Sequence, residues 1–518
     1  VRNSSDAAEC LVTLHIYSPP LRQFRRFVER PIEQRHPVPP RESGHHVIIV
    51  GGGFSGSMVA AQVLRQAAES DVKLSLTLIE RSGAIGEGIA YSTTDLHHLL
   101  NVPAGKMSAW PNAPDDFLNW VRRLKPDATA TEFLPRRWYG QYVRETLIRA
   151  VQQTSPEVKF KIKFDEVRRI ARIPGESWLV HLATGDSVRA DTVVLAVGHR
   201  PPDDPIGNRW AGSRSRYVMN PWAPMSLNVI SPQDNVVILG SGLTAVDTVL
   251  SLVDGPRSGT ITMISRRGLF PQAHAELPIT PIDLTVEVQD FLGNQSRSRL
   301  LELARSLRNK VSRIGNEGGD WRAVIDGLRP HLSVIWRSLS LDDRKRFLRF
   351  LRPYWEIHRH RMATQISAAF GELHDAGKIE FVAGQITSAS AGNAHLDLIV
   401  EQRHSKHRLA ISADWVINCT GPLPSNTSSG NPAIGSLLVD GWLKPDPLGL
   451  GIETTETGVA LNVNHEPIDD LLVIGTLRKA MEWESTAVPE LRVQAAQIAR
   501  MVLNRVTSSP DVGSTVSR

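Results

Sequence analysis

A short apolar strand, a glycine turn and an apolar helix follow one another twice in this chain. They occur at "HHVIIVGGGFSGSMVAAQVL" from His45 to Leu64, and again at "NVVILGSGLTAVD" from Asn235 to Asp247. A strand that is apolar at nearly every position must be covered on both faces, which places each copy inside a parallel sheet flanked by other elements. The turn narrows the choice further, because only glycine lets the chain reverse so tightly and lets the next helix lie against the strand. At 518 residues the chain exceeds one ordinary core, and at roughly 150 residues per domain two or three lobes are expected. The pattern predicts an α/β fold with two Rossmann-like dinucleotide-binding domains, the second inserted in the first.

In the first loop Gly51, Gly53 and Gly56 spell GxGxxG. The first glycine allows the turn, the second lets a pyrophosphate approach the backbone, and the third lets helix pack on strand; the helix N-terminus supplies free amides and a positive dipole end. The strand "KLSLTLIE" ends at Glu80, where a carboxylate can accept both hydroxyls of a ribose. A solvated strand-end charge is the plain alternative for Glu80. The second loop has Gly240 and Gly242 but Ala245 in third place, and its next strand, "GTITMISRRG", ends in Ser265, Arg266 and Arg267 rather than in an acid. An acid there would repel a 2′-phosphate, whereas arginine forks bind phosphate in bidentate fashion. This favours NADPH over NADH, with two solvated loop arginines as the bland reading. A buried strand followed by glycine recurs after each loop, as "VVLAVGHRPP" at Gly198 and "WVINCTGPLP" at Gly421. Each reads as the strand that returns the chain beneath a nucleotide, or as a plain central strand.

The rest of the chain is organised around these two units. Residues 1–44 carry scattered prolines and arginines without periodicity and read as a disordered extension. A first part of one domain is expected over 45–230, and a second domain over 231–414 with a helical insertion at about 270–373. The first domain is completed over 415–505 and is followed by a flexible tail at 506–518. Within the insertion Leu300, Leu303, Leu307, Val311 and Ile314 share one helix face, and Ser340 with Asp343 makes a capping box. Trp355, His358, Arg359, His360 and Arg361 follow a helix stop expected at Pro353. They form a basic and aromatic cluster, either a tentative substrate site (Trp355, His358 and Arg359) or an ordinary helix surface.

Several function classes are excluded or disfavoured. The formal charge of +5 and the lack of a long basic run give nucleic acid no default claim. No apolar run is long enough to span a bilayer, and no secretory signal is read at the start. The only cysteines, Cys10 and Cys419, are far apart; they make neither a CxxC pair nor a zinc site and suit a reducing cytoplasm, with Cys419 an inert core thiol. No HExxH, hydrolase elbow or convincing metal cluster is present. Two unlike nucleotide sites imply two nucleotides that meet, and the usual hydride acceptor in such an arrangement is a flavin.

Taken together, "VIIVGGGFSG", "GIAYST", "LLNVPAGKMSAWP", "PRRWYGQYV", "ILGSGLTAVD", "SRRGLFPQAH", "LRPYWEIHRHRM" and "WESTAVPELRVQ" resemble a group of two-nucleotide flavoproteins. The group includes FAD-dependent urate hydroxylases and aspartate N-monooxygenases, and the resemblance runs from about Val47 to Ala499. It implies FAD on the first domain, held by Gly51, Gly53, Phe54, Ser55, Gly56, Glu80 and Arg81, with Asn101 and Val102 approaching the flavin ring. Gly475, Trp483 and Glu484 would close that site from the C-terminal side. It implies NAD(P)H on the second domain, held by Gly240, Gly242, Leu243, Thr244, Ala245, Arg266 and Arg267. The expected activity is hydroxylation of a small polar substrate, an amino acid or a purine-like heterocycle, by molecular oxygen through a flavin hydroperoxide. An NAD(P)H:acceptor reductase and a non-catalytic nucleotide sensor are the alternatives.

Overall fold

The computed structural model describes residues 39, 44–70, 72–173, 177–296, 298–392, 395–421 and 430–508. The extension expected over 1–44, apart from residues 39 and 44, and the tail from 509 onward lie outside the described residues. Within them, the two glycine-turn units nucleate two separate sheets.

In the first sheet His45–Val50 lies between Leu74–Ile79 and Thr192–Leu195, all parallel. Val158–Lys163 extends one side in parallel, and Pro467–Val473 extends the other before pairing antiparallel with Val459–Leu461. Alternate residues of a strand point to opposite faces, and the core divides accordingly. Val47 and Ile49 pack with helices Phe54–Ala68, Arg136–Gln153 and Val488–Ser508, whereas Ile48 and Val50 pack with a three-stranded antiparallel sheet over 167–190 and the helix Pro432–Val439. The unbroken apolar run Val47–Val50 is thus used on both sides.

The second sheet repeats the plan. Val236–Leu239 sits between Ile261–Ser265 and Trp415–Asn418, again parallel, and Ile379–Ala391 continues the sheet beside Ile261–Ser265. Val236 and Ile238 face the helix Leu243–Leu252, and Val237 and Leu239 face the opposite cluster around Leu398 and Val400. These pairings shift the expected seams between domains. Trp415–Asn418 belongs to the second sheet, and so do Tyr217–Val218 and Trp210–Ala211, which pair with Trp415–Asn418 and Ile379–Ala391. The borders at 230 and 415 therefore each cut off strands of the second lobe. Backbone pairing decides this, because apolar composition alone cannot tell which sheet takes a short strand.

The helical insertion forms as expected, with Leu300 and Leu303 buried and Leu307, Val311 and Ile314 packed beside them on one face. Ser340 caps the helix Leu341–Arg346 by accepting the Asp343 N–H. The reading of Pro353 as a stop is corrected. The chain widens into a π-turn over Phe347–Leu351 and restarts as the helix Arg352–Arg359 with Pro353 in its first turn, where a missing N–H costs nothing. The insertion's core also takes in Leu450, Ala480 and Trp483 from the C-terminal return.

Candidate functional site: two nucleotide loops and the cleft between the lobes

The two loops are built alike to atomic detail. Gly51 has φ +104° and Gly240 has φ +108°, and a Cβ on either would lie 2.9 Å from a carbonyl carbon of the return strand, Ala196 in one lobe and Cys419 in the other. The helices that follow are N-capped by Gly53 and Gly242, with no side-chain cap and no acid in the first turn. Their first amides are therefore free to meet an anion. A Cβ at Gly242 would meet nothing within 4 Å, and one at Gly53 would meet only Gly88, at 3.4 Å from its Cα. Protein packing does not require a bare backbone at these second glycines, and the space beside them is open to a ligand. Gly56 differs, because its Cβ would overlap the Gly51 carbonyl oxygen, whereas the second lobe places the fully buried Ala245 there.

Behind the loops the lobes diverge. The Glu80 carboxylate accepts N–H bonds from Gly52 at 2.6 Å and from Ser82 at 2.7 Å, so it is fixed at the mouth of the first loop with lone pairs to spare. Arg81 turns outward and pairs with Glu166 at 3.7 Å. In the second lobe the two arginines have different duties. Arg267 donates to the carbonyls of Arg349 (2.7 Å) and Phe350 (3.3 Å), closing the end of the π-turn. Arg266 is exposed, and its guanidinium has no partner among the described residues.

A cleft of about 920 Å³ opens on the second loop. Gly240, Gly242, Leu243, Thr244, Arg266 and Arg267 line it from the second lobe, and Gly198, His199, Thr476, Lys479 and Thr486 line it from the first. The glycines after the two return strands, Gly198 (φ +68°) and Gly421 (φ +80°), both reach it. It is a strongly basic cavity. Surrounding protein and the nearby Lys479 push the His199 imidazole down to about 4, so it is neutral at pH 7. Burial likewise lowers Lys479, aided by Arg352.

The first loop and the C-terminal return meet as expected: a Cβ on Gly475 (φ +81°) would lie 3.2 Å from Ser55 Oγ. Asn101 and Val102 are half-buried, with the Asn101 carbonyl accepting from His274 Nε2 at 3.0 Å. Trp483 and Glu484 both pack against the insertion. Trp483 lies in the insertion's core, 4.9 Å from the ring of Trp336 and 5.1 Å from that of Phe347. Glu484 accepts from Trp355 Nε1 at 3.0 Å and pairs with Arg359 at 3.4 Å. Burial opposes its charge, but Arg359 and His360 outweigh that and hold the carboxyl below the usual range.

Trp355, His358 and Arg359, read from the sequence as a substrate set, are not among the residues that line the cleft. Trp355 donates to Glu484, Arg359 lies 3.4 Å from the same carboxylate, and His358 stands edge-on to Trp321, 4.8 Å away. Arg352, Glu356 and His360, four residues apart, are what this segment turns into the cleft, and that spacing is a signal the sequence contains. His199 and Lys479 carried no such signal.

Residues 48–200 match the model of a family described as FAD-NAD(P)-binding. Among curated proteins, the uncharacterized protein YdhS of Escherichia coli strain K12 is 22% identical over 276 residues, covering 46% of this chain and 49% of that protein. The aligned part thus spans about half the length of this relative. Among solved structures, the ornithine N-hydroxylase of Kutzneria sp. 744, with reduced FAD, NADP+ and L-ornithine, is similar at a TM-score of 0.59 and 14% identity. That alignment covers 89% of this chain and 99% of that one. The FAD-bound cadaverine monooxygenase DfoA of Erwinia amylovora is similar at a TM-score of 0.58 and 13% identity, covering 90% and 95%. The chain has the fold of the two-nucleotide flavoproteins.

Proposed function

We propose that this chain is an FAD-dependent, NADPH-consuming monooxygenase acting on a small polar substrate. One observation carries the reading: the second nucleotide loop, the two return-strand glycines and the C-terminal return all face one cleft, so a dinucleotide on the second lobe is directed at the first. The fold-related hydroxylases of ornithine and cadaverine support the same reaction class. Bound FAD would accept electrons from NADPH and pass them to oxygen, and NADPH would be the source of the hydride.

The chain's own residues do the holding. Gly53 and the free amides of the helix Phe54–Ala68 take one pyrophosphate, and Glu80 takes the ribose beside it. Gly242 and the helix Leu243–Leu252 take the other pyrophosphate, and Arg266 meets the 2′-phosphate. His199, neutral at pH 7, and Lys479 line the shared cleft and set its polarity for a polar or anionic substrate. The insertion, through Arg352, Glu356 and His360, forms the wall that shields the cleft from bulk water.

The purified protein is tested in two steps. It is expected to emerge yellow or to bind FAD on reconstitution, and to be bleached by NADPH without oxygen. Mixing the reduced protein rapidly with oxygen and candidate substrates should then give a transient spectrum unlike either end state, and product one oxygen atom heavier than substrate. Direct return to oxidised flavin with no oxygenated product would replace this reading with an NAD(P)H:acceptor reductase, and a protein that takes up no flavin would remove both.

A further inference from the structure

One short turn touches both nucleotide sites. Gly475 faces the first loop at Ser55, and the next residue, Thr476, lines the cleft while its Oγ donates to the Gly198 carbonyl at 2.7 Å. The 475–476 turn is thus a wall common to both sites. Glycine at positive φ is the softest backbone a chain can offer, and a wall of this kind needs a tether from outside.

Such a tether is present and buried. The Gly475 N–H donates to Gln494 Oε1 at 3.1 Å, and Gln494 Nε2 donates to Glu482 Oε2 at 2.7 Å; Gln494 is only 4% exposed. The amide orientation is forced, because a backbone N–H can only donate and a carboxylate only accept. Glu482 is in turn paired with Arg478, which is 0% exposed and also donates to the Glu456 carbonyl at 2.8 Å. Arg478 keeps Nε and Nη1 without partners among the described residues. A fully buried guanidinium with unmet donors is a poor device for stability, since desolvation outweighs what such a pair returns. Its place in the chain of bonds points to geometry instead.

We propose that Gln494, backed by Glu482 and Arg478, is a positioning residue that holds the 475–476 turn and so sets how the two nucleotides face each other. The inference rests on the assignment of a nucleotide to each loop. Hydride transfer between two bound groups is sensitive to small displacements, whereas affinity for NADPH is set mainly at the second loop and Arg266.

The test uses the flavin-loaded protein and, separately, the apoprotein. Gln494→Leu removes both bonds at similar volume. It is expected to slow anaerobic flavin reduction at saturating NADPH by about tenfold or more. The NADPH concentration for half-maximal rate should stay within about twofold of wild type. The visible flavin band should shift, and in the apoprotein the amide of Gly475 should exchange faster. The double swap Gln494→Glu with Glu482→Gln keeps the hydrogen bond to Gly475 and the one between 494 and 482 with its donor reversed, while moving the carboxylate that pairs with Arg478, so it should restore the exchange rate of the Gly475 amide and most of the reduction rate relative to Gln494→Leu. Gln494→Glu alone, which sets two carboxylates against each other, should behave like Gln494→Leu and serves if the leucine variant does not fold. Wild-type rate, band and exchange in Gln494→Leu and Gln494→Glu, or a swap whose Gly475 amide exchanges as fast as in Gln494→Leu, would overturn the inference alone. A wild type that takes up no FAD would overturn the first-site assignment with it.

Discussion

The two nucleotide loops share a backbone and differ in what stands behind it. Gly51 and Gly240 adopt nearly the same φ and press against the same point of their return strands. Yet a fixed carboxylate, Glu80, stands behind the first loop, and behind the second stands Arg266, whose guanidinium has no partner among the described residues. On the proposed reading, the common turn makes a phosphate site and the charge at the end of the next strand selects the nucleotide. Packing differs as well: the first helix approaches so closely that only glycine fits at residue 56, while the second leaves room for Ala245.

The comparison breaks most visibly at that third position. Gly56→Ala forces a Cβ into the Gly51 carbonyl and should cost about 3 kcal/mol, read as a lower midpoint in urea together with loss of bound flavin. Ala245→Gly, the reciprocal change, should cost only about 1 kcal/mol. Equal costs would mean that the two helices pack alike.

Next come the two strand-end charges. Glu80→Ala should weaken FAD binding by about tenfold to a hundredfold, measured by titration of the apoprotein, and leave NADPH affinity unchanged. Arg266→Ala should weaken NADPH binding by about tenfold and NADH hardly at all. Arg267→Ala should affect both reductants alike, because it removes the bonds to Arg349 and Phe350 at the cleft wall rather than a phosphate contact. An Arg267 variant that discriminates between NADPH and NADH would reverse this division of labour.

The smallest effect is expected where the second lobe has Cys419 and the first has Ala196. Burial pushes the Cys419 thiol up to about 12, so it stays protonated at pH 8 and unreactive. In a Cys10→Ser background a thiol reagent should label the folded protein negligibly and the unfolded protein fully. Cys419→Ala should cost about 1 kcal/mol and leave flavin reduction intact. Rapid labelling of the folded protein would show that this strand end is more open than its counterpart.

The glycine turns, the apolar strands and the two opposite strand-end charges were all readable along the chain, because each depends on residues within about 35 positions of one another. Local physics is enough there: a missing Cβ, a period of two, a charge at the end of a strand. The helical insertion was readable for the same reason, through its single apolar face. What could not be read was set by contacts between distant segments. Which sheet takes Trp415–Asn418, which face of the helix Arg352–Arg359 meets the cleft, and that Glu484 sits against Trp355 and Arg359 all depend on how the lobes and the insertion pack. The same holds for Arg266 and Arg267, identical in type and adjacent in sequence. Only the tertiary structure distinguishes them, by placing the Arg349 and Phe350 carbonyls against Arg267 and no partner among the described residues against the Arg266 guanidinium.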